Sequence, residues 1–267
     1  MDKSPNKFRI WIRQVFLIAA LGLAGAVLQG CATEEKSVIE KNSSPGQKKF
    51  QEGLEYGSIN KRKEMIASFQ EAVSLDPQNA NYHLHLGTSY FLDGDLDKAE
   101  KELKKTLEIN PDSKDAYRQI GRLYMQKGDW TQAAKNFKED LKRPGTPLPH
   151  RVYNWLALSY YNLGKFPDAE REWLEAIKLK DNAAIRLNLA LAYMDHEHFG
   201  KALDSLKIAV SLNPKFPQAH YEMAQLFIKD KKMDLAIEHL KQVIKLAPGS
   251  QWAQLSRKYL DLIEQIK

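Results

Sequence analysis

Few residues in this 267-residue chain are able to carry chemistry. Cys31 is the only cysteine, so neither a disulfide nor a thiolate metal site can form within one chain. His83 and His85 lie two positions apart on a predicted helix, point in different directions and cannot share a metal. His196 and His198 fall in a predicted turn, where exposure to solvent is the expected role. No phosphate-binding glycine-rich loop, HExxH or G-x-S-x-G motif occurs, and we therefore expect no catalytic residue, metal, cofactor or small-molecule substrate.

The segment before Cys31 has the pattern of a secretion signal. A basic stretch is followed by a charge-free apolar run from Val15 to Leu28, which is short for a membrane span and has the length of a signal-peptide core. Residues 28–31, Leu-Gln-Gly-Cys, resemble a bacterial lipobox. That resemblance implies cleavage before Cys31, acylation of the cysteine with fatty acids such as palmitate, and a stable membrane anchor. Ala32 stands where an aspartate would retain such lipoproteins at the inner membrane, so the resemblance implies the periplasmic face of the outer membrane.

Two other fates of this segment remain open. Ala24-Gly25-Ala26 has the small-x-small pattern of an ordinary cleavage site, which would release a soluble protein. An uncleaved segment would remain as an anchor. We expect lipidation at Cys31, because a lone cysteine directly after glycine at the end of an apolar core is otherwise unexplained.

The charge of the chain argues against a nucleic-acid partner. The whole chain holds 40 basic and 34 acidic side chains, net +6. The residues before Cys31 hold four basic and one acidic side chain, so half of the excess belongs to the predicted signal. The remainder contains no basic run interleaved with aromatic residues, which is the pattern typical of nucleic-acid binding.

A 34-residue period organises the rest of the chain, as in the spacing of Pro77 and Pro111. Six units, starting at residues 46, 80, 114, 150, 183 and 217, each place a small residue on a first predicted helix: Gly53, Gly87, Gly121, Ala157, Ala190 and Ala224. An aromatic residue follows three positions later in every unit: Tyr56, Tyr90, Tyr124, Tyr160, Tyr193 and Phe227. This pattern resembles the tetratricopeptide repeat, which has two antiparallel helices per unit. The resemblance implies an all-α fold, a right-handed superhelical α-solenoid of six repeats with a C-terminal capping helix.

The repeats and their flanks divide the chain into four predicted segments. These are a lipoprotein signal peptide at 1–30, a lipidated flexible tether at 31–45, six repeats at 46–248 and a capping helix at 249–267. The three prolines of residues 143–149 forbid a helix before unit four. This insertion is either a tolerated surface loop or a lip that shapes a binding groove.

The first helices of such an array line a concave face that binds protein segments. Reading positions 2, 5, 9, 12 and 13 of each unit gives a candidate groove: Phe91, Arg118, Arg122, Met125, Arg151, Asn154, Leu158, Tyr161, Leu187, Leu191, Met194, Tyr221 and Ile228. Aliphatic and aromatic ends around a basic middle suit an amphipathic peptide that carries an acid. We expect Tyr161, Leu191 and Tyr221 to anchor this partner, and Arg118 and Arg122 to orient its acidic residue.

Taken together, these features resemble one family, the type IV pilus pilotins of the PilF/PilW/Tgl type. They include the lipobox, the short polar tether, the six repeats and the proline-bearing stretch, with residues 149–160 looking like the start of that family's fourth repeat. The resemblance implies an outer-membrane lipoprotein whose partner is a secretin subunit, and which assists secretin insertion and multimerisation without being an enzyme. The alternative is a periplasm-facing lipoprotein adaptor for peptidoglycan hydrolases or another envelope complex. A soluble periplasmic enzyme would need a catalytic constellation that the sequence lacks.

Overall fold

The computed structural model describes residues 43–266, and these residues form thirteen α-helices with no strand among them. The helices are α1 (Pro45–Ser58), α2 (Arg62–Leu75), α3 (Ala80–Asp93), α4 (Leu96–Ile109), α5 (Lys114–Lys127), α6 (Trp130–Lys142), α7 (Pro149–Asn162), α8 (Phe166–Leu179), α9 (Ala183–Asp195), α10 (Phe199–Leu212), α11 (Pro217–Lys229), α12 (Met233–Leu246) and α13 (Gln251–Ile266). The predicted signal peptide, Cys31 and most of the predicted tether lie outside the described residues.

Short turns join the two helices of each pair. Gly94 and Gly128 end α3 and α5 at φ of +89° and +78°, in the left-handed region that suits glycine. Asp95 and Asp129 follow them, and each carboxylate accepts a hydrogen bond from the backbone N–H three residues later. These aspartates satisfy N–H groups that the first turn of α4 and α6 leaves unpaired.

Within each pair, a small residue of the first helix meets a large residue of the second. A Cβ atom placed on Gly121 would lie 2.6 Å from the Phe137 ring, so only glycine allows this approach of α5 to α6. Phe137 is fully buried as a result. In unit four the corresponding residues are Ala157 and Trp173, and both are also buried.

The pairs stack into a solenoid. Each second helix packs on the first helix of its own unit and on that of the next, while successive first helices also contact one another, as α3, α5, α7 and α9 do. The first helices therefore line the inner face, and the predicted all-α solenoid of six helix pairs is confirmed.

The last helix covers the open end of unit six. Trp252 of α13 lies 5.0 Å, between ring centroids, from Tyr221 of α11, and Trp252, Ala253 and Ile263 are buried. The helix thus acts as the predicted cap. Within residues 43–266 no helix is both long enough and apolar enough to cross a bilayer.

Candidate protein-binding groove

Four side chains from three successive first helices meet on the concave face. We call Phe91 of α3, Arg122 of α5, and Arg151 and Trp155 of α7 the arginine–aromatic cluster. The Cζ atom of Arg122 lies 5.1 Å from the Phe91 ring centroid and 5.6 Å from that of Trp155. The Cζ atom of Arg151 lies 5.4 Å from the same Trp155 ring. These distances place both guanidinium groups in the range of cation–π interactions.

The repeat architecture holds this cluster in place. Trp155 stacks on the buried ring of Phe137 with 5.7 Å between centroids, which fixes the indole against the core of unit three. Arg122 donates a hydrogen bond from Nη1 to Oε1 of Gln119, 2.9 Å away and one helical turn earlier. A neutral amide orients the guanidinium but leaves its charge without a counterion.

The electrostatic environment of Arg122 is unfavourable to its charge. Burial lowers the pKa of Arg122, and the positive charges of Arg151 and Arg118 lower it further. Among the described residues, no ion pair joins Arg122 or Arg151 to a carboxylate. An arginine stays protonated under such conditions, so the lowered pKa indicates a cation that an incoming anion would stabilise.

Arg118, which we expected to orient an acidic partner residue, is occupied inside the protein. Its Nε lies 2.8 Å from Oδ2 of Asp140, and its Nη1 lies 2.8 Å from Oδ1 of Asp115. Asp140 is fully buried, so this carboxylate depends on Arg118 for neutralisation. The structure therefore gives Arg118 a structural role in place of the predicted partner contact.

The proline-bearing insertion is fastened to this ion pair. Thr146 donates from Oγ1 to both the backbone oxygen and Oδ1 of Asp140, at 2.9 and 3.1 Å. Lys114, at the start of α5, donates from Nζ to the backbone oxygens of Pro144 and Gly145. The insertion is thus held against α5 and α6, immediately before α7 begins.

Beyond the cluster, the concave face becomes apolar. Leu158 and Tyr161 of α7, Leu191 of α9 and Ile228 of α11 are half-buried and pack on the core of units four to six. We call these four residues the apolar strip. The Tyr161 hydroxyl donates to the carboxylate of Asp195, one repeat further on. The strip continues the groove away from the arginine–aromatic cluster.

Several predicted groove residues are part of the buried core. The side chains of five of them are buried: Phe91, Met125, Leu187, Met194 and Tyr221. Tyr221, predicted as an anchor, packs under the capping helix, 5.0 Å from Trp252 and 6.2 Å from Tyr259, and little of its side chain is exposed on the groove. Phe91 still presents its ring to Arg122.

Asn154 also has an internal role. Its Oδ1 accepts hydrogen bonds from Trp173 Nε1 at 2.9 Å and from Asn188 Nδ2 at 3.1 Å. Because Trp173 is in α8 and Asn188 is in α9, these bonds tie α7 to the two helices that follow it. Asn154 thus helps to set the position of the groove wall.

Trp155 belongs to the cluster but is not among the predicted groove residues. It directly follows Asn154, which occupies position 5 of unit four, and so falls between the positions that were read. The spacing of Arg151 and Trp155 could have identified it, since residues four apart share one face of a helix.

The histidines are used structurally. His83 bonds through Nδ1 to Glu102 at 2.6 Å, and the ring of His196 stacks on Phe166 with 3.9 Å between centroids. In the part of the chain that the structure describes, no three His, Cys, Asp or Glu side chains come together in a metal-binding arrangement.

Comparisons with known proteins support the repeat assignment. Models described as tetratricopeptide repeat match residues 49–79, 66–118, 90–143, 118–184 and 187–251. The chain is 31% identical over 99 residues to serine/threonine-protein phosphatase T of Trypanosoma brucei brucei. This alignment covers 34% of this chain and 21% of the phosphatase. It is also 27% identical over 134 residues to photosystem I assembly protein Ycf3 of Prochlorococcus marinus, and this alignment covers 43% of this chain and 73% of Ycf3. The chain thus spans about a fifth of the length of the phosphatase.

Two solved structures align along nearly their whole length. PilF of Pseudomonas aeruginosa superposes with a TM-score of 0.68 at 18% identity, over 80% of this chain and 97% of that one. PilW, described as a widely conserved type IV pilus biogenesis factor, superposes with a TM-score of 0.71 at 20% identity, over 80% and 98%. At these identities the similarity concerns the fold.

Proposed function

Because this chain belongs to the tetratricopeptide-repeat family, whose members bind other proteins, we propose that it is a lipid-anchored scaffold for a secretin. In this proposal the solenoid binds a secretin subunit and assists its insertion and multimerisation at the outer membrane during type IV pilus biogenesis.

The observation that carries this proposal is the extent of the similarity to PilF and PilW. The alignments leave only 3% and 2% of those chains uncovered and extend over 80% of this chain, so the similarity extends along the solenoid instead of being limited to a few helix pairs. PilW is described as a type IV pilus biogenesis factor, and the lipobox-like residues 28–31 would give this chain the anchor that such a role needs.

Binding requires no chemical step in this proposal. A secretin segment lies along the concave face, with its apolar residues on the apolar strip and its acidic residue toward the arginine–aromatic cluster. A few well-desolvated side chains usually dominate such interfaces. Leu191 and Tyr161 remain the candidate anchors.

The proposed function is tested in cells that lack the native copy of this protein. Heat-resistant secretin multimers should be lost, be restored by the wild-type chain, and be restored poorly by Leu191→Ala or Tyr161→Ala, because these substitutions should weaken binding at any salt concentration. Leu174→Ala is the matched control, because Leu174 is an exposed leucine on the second helix α8, away from the concave face. Multimers that form normally without the protein would refute the proposal, and a pull-down of peptidoglycan hydrolases would then test the adaptor alternative.

The proposed anchor is tested separately. Cys31→Ser should abolish metabolic labelling with palmitate and shift the protein out of the outer-membrane fraction, because the substituted hydroxyl is not a substrate for lipobox acylation. Labelling that persists in Cys31→Ser would contradict lipidation at this residue. The same strain then shows whether secretin assembly requires the anchor or only the solenoid.

A further inference from the structure

Arg122 and Arg151 differ from the other arginines of the described chain. Arg118, Arg143, Arg171 and Arg186 all form ion pairs with carboxylates. Arg62 and Arg257 are exposed and donate to backbone oxygens. Arg122 alone combines substantial burial with the absence of an anionic or backbone acceptor, and Arg151 lies over the same indole ring.

Keeping a partly buried cation beside another cation is energetically unfavourable unless an anion joins them. Stacking on Phe91 and Trp155 offsets part of the desolvation of Arg122. It does not offset the repulsion between Arg122 and Arg151, whose Cζ atoms lie 5.6 and 5.4 Å from the Trp155 ring centroid. The complementary occupant is an anion placed between the two guanidinium groups.

The surroundings decide which kind of anion fits. The rings of Phe91 and Trp155 border the arginines, and the apolar strip begins on the same helix α7 with Leu158. A planar carboxylate can accept paired hydrogen bonds from a guanidinium, and a neighbouring apolar side chain can extend along the strip.

We propose that the arginine–aromatic cluster is a carboxylate-binding site for an apolar protein segment, with Arg122 and Arg151 gripping one carboxylate beside Trp155. The carboxylate comes from an aspartate or glutamate side chain or from a chain terminus, and the residues next to it are aliphatic or aromatic. This inference rests on the proposed function, because it names the chemistry by which the groove would recognise its secretin segment.

Short displayed peptides, panned in parallel on the detergent-solubilised full chain and on its Arg122→Gln variant, test this site. Peptides selected by the wild-type chain should be enriched in acidic residues flanked by apolar ones, and Arg122→Gln should remove that enrichment. For a selected peptide made synthetically, Arg122→Gln should weaken binding roughly 10- to 100-fold, the range for losing a hydrogen bond to a charged group. Converting the peptide acid to its amide should weaken binding to the wild-type chain equally, and should have little further effect on Arg122→Gln.

Two controls separate recognition from folding. Arg171→Gln removes an exposed arginine on the convex helix α8 and should leave peptide affinity unchanged. Arg151→Gln removes an exposed side chain and should weaken binding more at low salt than at high salt. If Arg122→Gln lowers the melting temperature, the Arg151→Gln result decides the question. Peptides with an amidated or a free C-terminus distinguish a side-chain carboxylate from a terminal one.

Peptides selected without acidic residues, or equal losses from the peptide amide in wild type and Arg122→Gln, would overturn the inference. So would normal secretin multimers in cells carrying Arg122→Gln, although the proposed function would survive that result. Multimers that form without the protein would end the proposed function alone, since the coupling between Arg122 and the peptide acid would still support a carboxylate site.

Discussion

Asp140→Ala should destabilise the solenoid more than any other single loss of charge near the groove. The Asp140 side chain is 0% exposed, and its Oδ2 and Oδ1 lie 2.8 and 3.4 Å from Arg118 Nε and Nη2. Its Oδ1 also accepts a hydrogen bond from Thr146 at 3.1 Å. The alanine variant therefore removes the buried acceptor of Arg118 Nε and Nη2, while Thr146 keeps the backbone oxygen of residue 140.

The size of this destabilisation depends on the ion pair that Arg118 retains with Asp115. Removing one partner of a buried ion pair costs about 3–5 kcal/mol. Arg118 is 15% exposed and retains Asp115, so its charge is only partly uncompensated, and a loss of about 2–3 kcal/mol is expected. For a chain of this size about 1 kcal/mol shifts Tm by about 2–4 °C, so Asp140→Ala should lower Tm by about 4–12 °C.

The matched control is Asp115→Ala, which removes the other carboxylate bound by the same arginine. Asp115 is 58% exposed, and exposed ion pairs contribute about 0–1 kcal/mol. Thermal unfolding followed by far-UV circular dichroism measures both variants, and hydrogen exchange should show the loss of protection at the start of α7. Equal Tm values for the two variants would refute the reasoning that burial makes Asp140 the structural partner.

Three further predictions concern packing, pH and the cap. Gly121→Ala places a Cβ 2.6 Å from the Phe137 ring and should cost about 1–3 kcal/mol in denaturant unfolding, while adding Phe137→Leu should recover part of it; no loss would mean that α5 and α6 separate freely. Burial and the neighbouring His220 lower the pKa of His239, so the unfolded chain binds more protons below about pH 6.5 and acid should destabilise the fold. In His239→Gln the free energy of unfolding should fall less steeply with acid than in wild type, by up to about 1.4 kcal/mol per pH unit. If the free energy of unfolding of the two proteins has the same pH dependence, this prediction is contradicted. Deleting residues 249–267 uncovers α11 and should lower Tm and solubility, whereas an unchanged melt would mean that α13 is not a cap.

The fold could be predicted because the residues that specify it lie close together in the sequence and recur in every unit. Gly121 predicts a close approach of α5 and α6, and the structure places the Phe137 ring in the space that a Cβ would fill. The same relation recurs in unit one, where a Cβ on Gly53 would lie 2.5 Å from Phe69. Each unit specifies its helix pair from its own residues, so the array follows from the sequence.

The groove could be predicted only in part, because exposure depends on residues in the next unit. Leu187 and Leu191 are four positions apart on α9 and are chemically identical, yet Leu187 is buried while Leu191 is half-buried. Met194 is buried where the corresponding Tyr161 is not. The angle between neighbouring units decides these outcomes, and that angle depends on packing across the interface.

The two arginines of α5 show that the roles of charged residues also cannot be predicted from one repeat unit alone. Arg118 and Arg122 occupy one face of the helix, and the sequence alone gives them the same role. Their difference arises from Asp140, 22 residues after Arg118 on another helix, whose burial depends on the insertion through Thr146. An isolated Asp on a helix surface is normally solvated, so a sequence pattern cannot mark it as buried.

The insertion links the Arg118–Asp140 ion pair to the arginine–aromatic cluster. Thr146 and Lys114 hold residues 143–149 against α6 and α5, and α7 begins at Pro149, directly after them. The first two turns of α7 carry Arg151 and Trp155, so the point at which α7 begins determines where these residues meet Arg122. Loss of the Asp140 contacts should therefore weaken peptide binding at the cluster although no cluster residue is changed.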